Sequence, residues 1–147
     1  LYASRDRSAS AFPAASSYSL RTAGSASMPS IAITREAPVE LDTVTIGGVA
    51  LAELKEVGIG APIDLTWGVG ASGDLVIAEL STADRVVACA FRDDQGAGTI
   101  PSGKFDKLGS GRLSLTRIRT ASFRAPDVDF GELAFQFELG TNVTFKP

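Results

Sequence analysis

Gly68, Gly70 and Gly73, in the stretch TWGVGASGDLVIAEL, have the G-x-G-x-x-G spacing with which a backbone wraps the pyrophosphate of a dinucleotide. That chemistry needs more than glycines. It requires a strand before them, a helix of about a dozen residues after them, a second strand, and an acid at its end to hold a ribose. The order can be written onto the chain, with IDLTW and RVVACAF as strands, DLVIAELSTADR as helix, and Asp93 or Asp94 as the acid. The helix is the weak link. Leu75, Val76, Ile77 and Leu80 make no clean apolar stripe, β-branched residues are paired at its start, and Glu79 falls among them. The flanking residues also lack the amphipathic helices that a doubly wound sheet must have. The residues therefore favour a turn between two strands, with glycines supplying positive φ and Asp74 beginning the return. A cofactor loop on Gly68, Gly70 and Gly73 is the alternative, and the turn reading assigns no cofactor.

Histidine is absent from the 147 residues, which removes Ser-His-Asp and Cys-His nucleophile systems and His-ligated metals. Oxygen-ligand metals remain. Asp93 and Asp94 in FRDDQGAG, with Asp127 and Asp129 in APDVDFGE, are the calcium candidates, although neither loop has the spaced acids of an EF-hand. Ordinary acidic turns account for both loops, and pairing Asp93 with Asp127 as a glycosidase couple has no spacing argument behind it. No catalytic residue is assigned. The single cysteine, Cys89, sits in the apolar run VVACAF, where a buried inert thiol is expected. Trp67 reads as a core tryptophan rather than an exposed sugar platform. Asn142-Val143-Thr144 matches a glycosylation sequon.

A formal charge of −3 argues against nucleic acid as a partner. The charge is uneven, because Lys104, Lys107, Arg112, Arg117, Arg119 and Arg124 fall in a span whose only acid is Asp106. On one sheet face they would hold an anionic surface; a solvated face protecting an edge strand is the plainer expectation. No apolar run approaches the length of a membrane span.

The elements that would position these residues are short strands. SYSLRT, SIAITRE, TVTI and VALA around Gly47-Gly48, IDLTW, DLVIAEL, RVVACAF, GTIP, RLSLTRI and GELAFQFELGTNVTF are separated by Gly, Pro, Asp and Ser. Pro38 should interrupt an edge. Leu133, Phe135, Phe137 and Leu139 give the cleanest alternation, and Gly140 to Asn142 should turn the chain so that Val143 and Phe145 pair back. LAELKEV has helical spacing but is stopped by Gly58 and Gly60, and PSGKFDKL reads as one helical turn plugging the core with Phe105 and Leu108. The expected fold is all-β: a two-sheet antiparallel β-sandwich, with at most one short helical turn. The Ser/Ala-rich residues 1–10 are expected to form a flexible leader, and 11–147 a single domain.

The succession DLTW, GDLVIAEL, VVACAF with FRDDQGAGTIP, and GRLSLTRI resembles a domain of extracytoplasmic lipoproteins of myxobacteria and related bacteria. The likeness spans about residues 62 to 118, and AFPAASSYSL and ITREAP are similar to its opening strands. The Trp67 strand also looks fibronectin-III-like or immunoglobulin-like, without the paired cysteines of antibody domains. The resemblance implies a bacterial module in the periplasm or on the outer membrane and cell surface, with a lipid anchor possible upstream. Its expected role is non-catalytic: binding another protein or a surface glycan, or building a surface assembly. A dinucleotide-binding protein and a calcium-dependent adhesion module are the alternatives.

Overall fold

The computed structural model describes residues 14–26, 30–125 and 128–147, and over these the chain is all-β. The expected leader lies outside the described residues. Two strands, β1 (Ser17–Thr22) and β2 (Ile31–Glu36), pair antiparallel as a separate ribbon. As Pro38 predicts, β2 stops two residues before it. β3 (Thr45–Ile46) and β4 (Val49–Ala50) close over Gly47 and Gly48, whose φ values of 55° and 80° make the two-residue turn that the sequence signals.

β5 (Glu56–Gly58), β6 (Ile63–Thr66), β7 (Leu75–Ser81), β8 (Val86–Arg92), β9 (Ala97–Ile100), β10 (Gly109–Ala125) and β11 (Val128–Lys146) complete the order. They form a five-stranded sheet, β5-β11-β10-β7-β8, and a four-stranded sheet, β4-β3-β6-β9. All pairings are antiparallel except that of β5 with β11. One hydrophobic cluster takes Val76, Ala78, Leu80, Leu113, Leu115, Val143 and Phe145 from the larger sheet and Ile46, Ile63 and Leu65 from the smaller. Inward and outward residues alternate along β6 and β7, as burial of one sheet face requires.

Three expectations are corrected by this architecture. Gly140 to Asn142 do not turn the chain: Ser114 pairs with Gly140 and Arg112 with Asn142, so β11 runs straight through. Gly140 is there for close approach, since a Cβ would strike the Arg112 guanidinium and the Ser114 side chain. The segment after Pro101 is a turn around Gly103 without helix; Phe105 plugs the core at 3% exposure, but Leu108 is 58% exposed. The only helical turn among the described residues is a 3-10 turn at Asp93–Gln95. LAELKEV gives turns and then β5, not a helix.

The stripe Leu133, Phe135 and Phe137 is only half-buried, because β10 and β11 outrun their neighbour. β7 pairs with β10 only from Arg112 to Ile118, leaving the hairpin beyond Ile118 as a two-stranded ribbon. β1 and β2 lie against part of it: Tyr18 and Phe135 stack with centroids 5.5 Å apart, and Arg119 Nη1 donates to the Glu36 carbonyl at 3.3 Å.

Candidate functional site

The glycine stretch is followed by β7, a strand, where the dinucleotide reading needs a helix. Each glycine has its own structural cause. Gly73 has φ of 97° and open space around it, so it is the turn residue. Gly68 and Gly70 are close-approach residues: a Cβ on Gly68 would overlap the Asp42 carboxylate, and one on Gly70 the Asp93 carboxylate. The Gly68 N–H is spent on the Asp42 carbonyl at 3.0 Å, and the Gly68 carbonyl accepts from Arg117.

Arg117 is the centre of a buried polar hub. The Arg117 and Asp93 side chains are both 0% exposed. Nη1 donates to the Val39 and Glu40 carbonyls at 3.1 and 2.9 Å, and Nη2 to the Gly68 carbonyl and, at 2.9 Å, to Asp93 Oδ1. Nε faces Asp93 Oδ2 at 2.7 Å as an ion pair, and neither atom has a further hydrogen-bond partner among the described residues. Four of the five guanidinium N–H groups donate to oxygen, and Nε faces Asp93 Oδ2 as an ion pair outside hydrogen-bond geometry. Those four bonds make a fully buried charge pair tolerable.

The hub is extended on both sides. Trp67, 4% exposed, donates its Nε1 hydrogen to the Asp93 carbonyl at 3.2 Å and tilts against Phe91 with centroids 5.9 Å apart. It is the core tryptophan that its strand predicts. Arg119 grips Asp74 with two nitrogens, Nε to Oδ1 at 2.9 Å and Nη2 to Oδ2 at 2.7 Å, and that bonding raises the Arg119 pKa.

The sequence candidates therefore scatter. Asp93 is consumed by Arg117, and Asp94 by Arg92 at 2.7 Å, which lowers the Asp94 pKa. Asp127 lies outside the described residues. Asp129 is the second residue of β11, at the far end of the β10–β11 hairpin from Arg117, which pairs with Phe137. No group of three or more His, Cys, Asp and Glu among the described residues is placed to hold a metal. Cys89 is a free thiol, half-buried at the sheet edge rather than enclosed.

The basic residues likewise do not form one face. Arg117 and Arg119 fall in phase with Leu113 and Leu115 and turn inward; Arg112 points outward and meets Glu138 at 2.9 Å; Lys107 meets Asp84 at 2.9 Å. The Arg117 hub was legible in that phase, since RLSLTRIRT alternates with Arg117 and Arg119, but not Arg112, on the leucine side.

A concavity lies at the end of the five-stranded sheet. It is an open depression of about 670 Å³ lined by Lys55, Ser81, Thr82, Ser110, Arg112, Asn142 and Thr144, with the backbone of Gly111 at its floor. Its lining contains two cations, four hydroxyls and an amide, and no carboxylate. Gly111 allows β10 to pass there, because a Cβ would meet the Ser81 carbonyl and the Phe145 ring. The sequon residue Asn142 is exposed within it. Sequence reasoning singled out Arg112 and Asn142 separately; nothing local in the sequence joins them to Lys55 and Thr82.

Comparison of the chain with protein-family models, with curated proteins and with solved structures finds no significant match. No helix among the described residues is long and apolar enough to cross a membrane.

Proposed function

We propose that this chain is a non-catalytic β-sandwich module, exported to the bacterial periplasm or cell surface, that binds a hydroxyl-rich acidic glycan in the depression at the end of the five-stranded sheet. The observation that carries the reading is the lining itself: Lys55 and Arg112, the latter shared with Glu138, for carboxylate or sulfate groups, and hydroxyl and amide partners for sugar hydroxyls. The two larger sheets are the layers of the sandwich in this reading, with β1 and β2 as an accessory ribbon, and the common hydrophobic cluster supports it. The buried ion pairs are engaged in joining loops to strands, which leaves them no role in turnover. Export and a fibronectin-III-like or immunoglobulin-like arrangement rest on the resemblance of the DLTW to GRLSLTRI series. Cell fractionation of a native host tests the location.

The binding test is calorimetric titration with an acidic oligosaccharide and with a neutral one of equal length. The acidic sugar should bind, and a Lys55→Ala/Arg112→Ala variant should weaken it by at least about tenfold with the fold intact. Equal binding of the variant and the unmodified chain, or no binding of either sugar, contradicts the proposal.

A further inference from the structure

The edge of the five-stranded sheet opposite β8 is only partly filled. β5 pairs with β11 from Thr144 to Lys146, and among the described residues no strand continues that line beside the rest of β11. β5 also fixes the backbone phase. Thr144 N–H donates to the Lys55 carbonyl at 2.8 Å and Ile59 N–H to the Lys146 carbonyl at 2.9 Å, so the even-numbered residues of β11 turn their backbone groups to this edge. The pairing of β11 with β10 is regular from Gly109 to Phe123. Gly140, Glu138 and Gln136 therefore present their N–H and C=O groups outward, in line with β5.

A groove runs beside this free stretch. Its apolar part, a hollow of about 480 Å³, is lined by Leu41, Val44, Leu51 and Leu139, and Leu139 is 40% exposed although it shares the inward phase of Val143 and Phe145. Past Leu139 the groove continues between Glu40 and Phe137. Its far wall is the connector from Val39 to Val44. Arg117 holds the Val39 and Glu40 carbonyls, and Gly68 N–H holds the Asp42 carbonyl, while no backbone bond joins the connector to β11 among the described residues. The groove is thus preformed. Glu40 and Asp42 stand on this wall, both exposed and neither in an ion pair among the described residues, and no Lys or Arg lines the groove.

We infer that this groove takes an extended peptide of another protein, with apolar residues at alternate positions and a flanking lysine or arginine, as an added strand end to end with β5. Three features select that occupant together. The outward N–H and C=O groups repeat at the spacing of a peptide backbone, which neither a lipid tail nor a sugar reproduces. The hollow at Leu139 fits an apolar side chain on the inward face of such a strand, as Val57 of β5, 4% exposed, fills the core further along. Glu40 and Asp42 supply the charge that a basic flank complements. The groove shares no lining residue with the depression proposed for the glycan, so the two sites stand independently.

The probe is a capped peptide of about seven residues, alternating valine and threonine with lysine at each end, titrated into the full chain by calorimetry and followed by amide exchange. In the free chain the Glu138 and Gly140 amides should exchange at least about a hundredfold faster than that of Leu113, and bound peptide should slow them at least about tenfold. Glutamate in place of the lysines should weaken binding at least about fivefold, and a Glu40→Gln/Asp42→Asn variant should lose that preference. Methylating the peptide nitrogens of the valines, or those of the threonines, should abolish binding in one case only, because a strand turns one set toward β11 and the other toward water. The peptide changes are read on the unsubstituted chain, so they decide the matter even if the acid variant misfolds. No binding of the lysine peptide at about 1 mM overturns the inference, as does equal sensitivity to both methylations. Glu138 and Gly140 amides already protected in the free chain overturn it too, since this chain or a copy of it then fills the edge.

Discussion

Gly70 stands where any side chain would enter the space of the Asp93 carboxylate, and Gly73 three residues on stands in open solvent with a left-handed backbone. The two are distinguishable by substitution. Gly70→Ala should lower stability by about 2–4 kcal/mol, because a buried ion pair must move to admit a methyl group, whereas Gly73→Ala should cost only about 1–2 kcal/mol of backbone strain. Urea unfolding of both variants checks the order, and equal losses would contradict it. The pH dependence belongs to this scale too. Asp84 is held below its ordinary pKa of 3.8 by hydrogen bonds from Lys107 and Thr82, and Lys107 is held above 10.5 by Asp84. A depressed carboxyl contributes stability above its unfolded pKa and loses it as pH falls; a raised ammonium contributes below its unfolded pKa and loses it as pH rises. With Asp94 also depressed and no histidine in the chain, the urea midpoint should be flat from about pH 5 to 8 and should fall below about pH 4. A midpoint that changes steeply between pH 5 and 8 would contradict this assignment. The sequence made the glycine turn legible because a poor helical stripe follows it. It did not show that two of the three glycines make room for acids, because Asp42 and Asp93 approach through tertiary structure alone.

At the scale of elements, the strands were readable wherever alternation is tight and the punctuation is Gly-Gly, Pro or Asp. SYSLRT is β1 to the residue, and DLVIAEL is β7 displaced by one residue. The β10–β11 hairpin was read as shorter pieces because Gly140-Thr141-Asn142 carries turn composition, and only pairing with Arg112 to Ser114 keeps it straight. The same composition rule misplaced the helical turn, which forms at Asp93–Gln95 where Gly96, at φ 64°, ends it. The hairpin divides energetically. Around Leu113 and Leu115 it is flanked by β7 and fully buried, while from Thr120 onward β10 pairs only with β11. Amide exchange should therefore be slower by at least about a hundredfold at Leu113 and Leu115 than at Ser122 and Phe123. Uniform protection along β10 would show that the distal ribbon is anchored more firmly than its pairing accounts for.

For the molecule as a whole, Arg117 joins segments that are remote in sequence: the connector at Val39 and Glu40, the glycine loop at Gly68, the corner at Asp93, and β10 itself. Composition could not reveal this, since an arginine in a basic run looks like surface until its phase relative to Leu113 and Leu115 is weighed. The central claim is that this hub, and no bound phosphate, is what the glycine loop encloses. Its most direct test is a double-mutant cycle in urea on Asp93→Ala, Arg117→Ala and the pair. Each single change should cost about 3–5 kcal/mol by leaving a buried charge unpaired; the double should cost less than their sum by at least about 2 kcal/mol, yet stay well below wild type because three carbonyls lose their donor. Additive losses, or single variants as stable as the parent, would contradict the account.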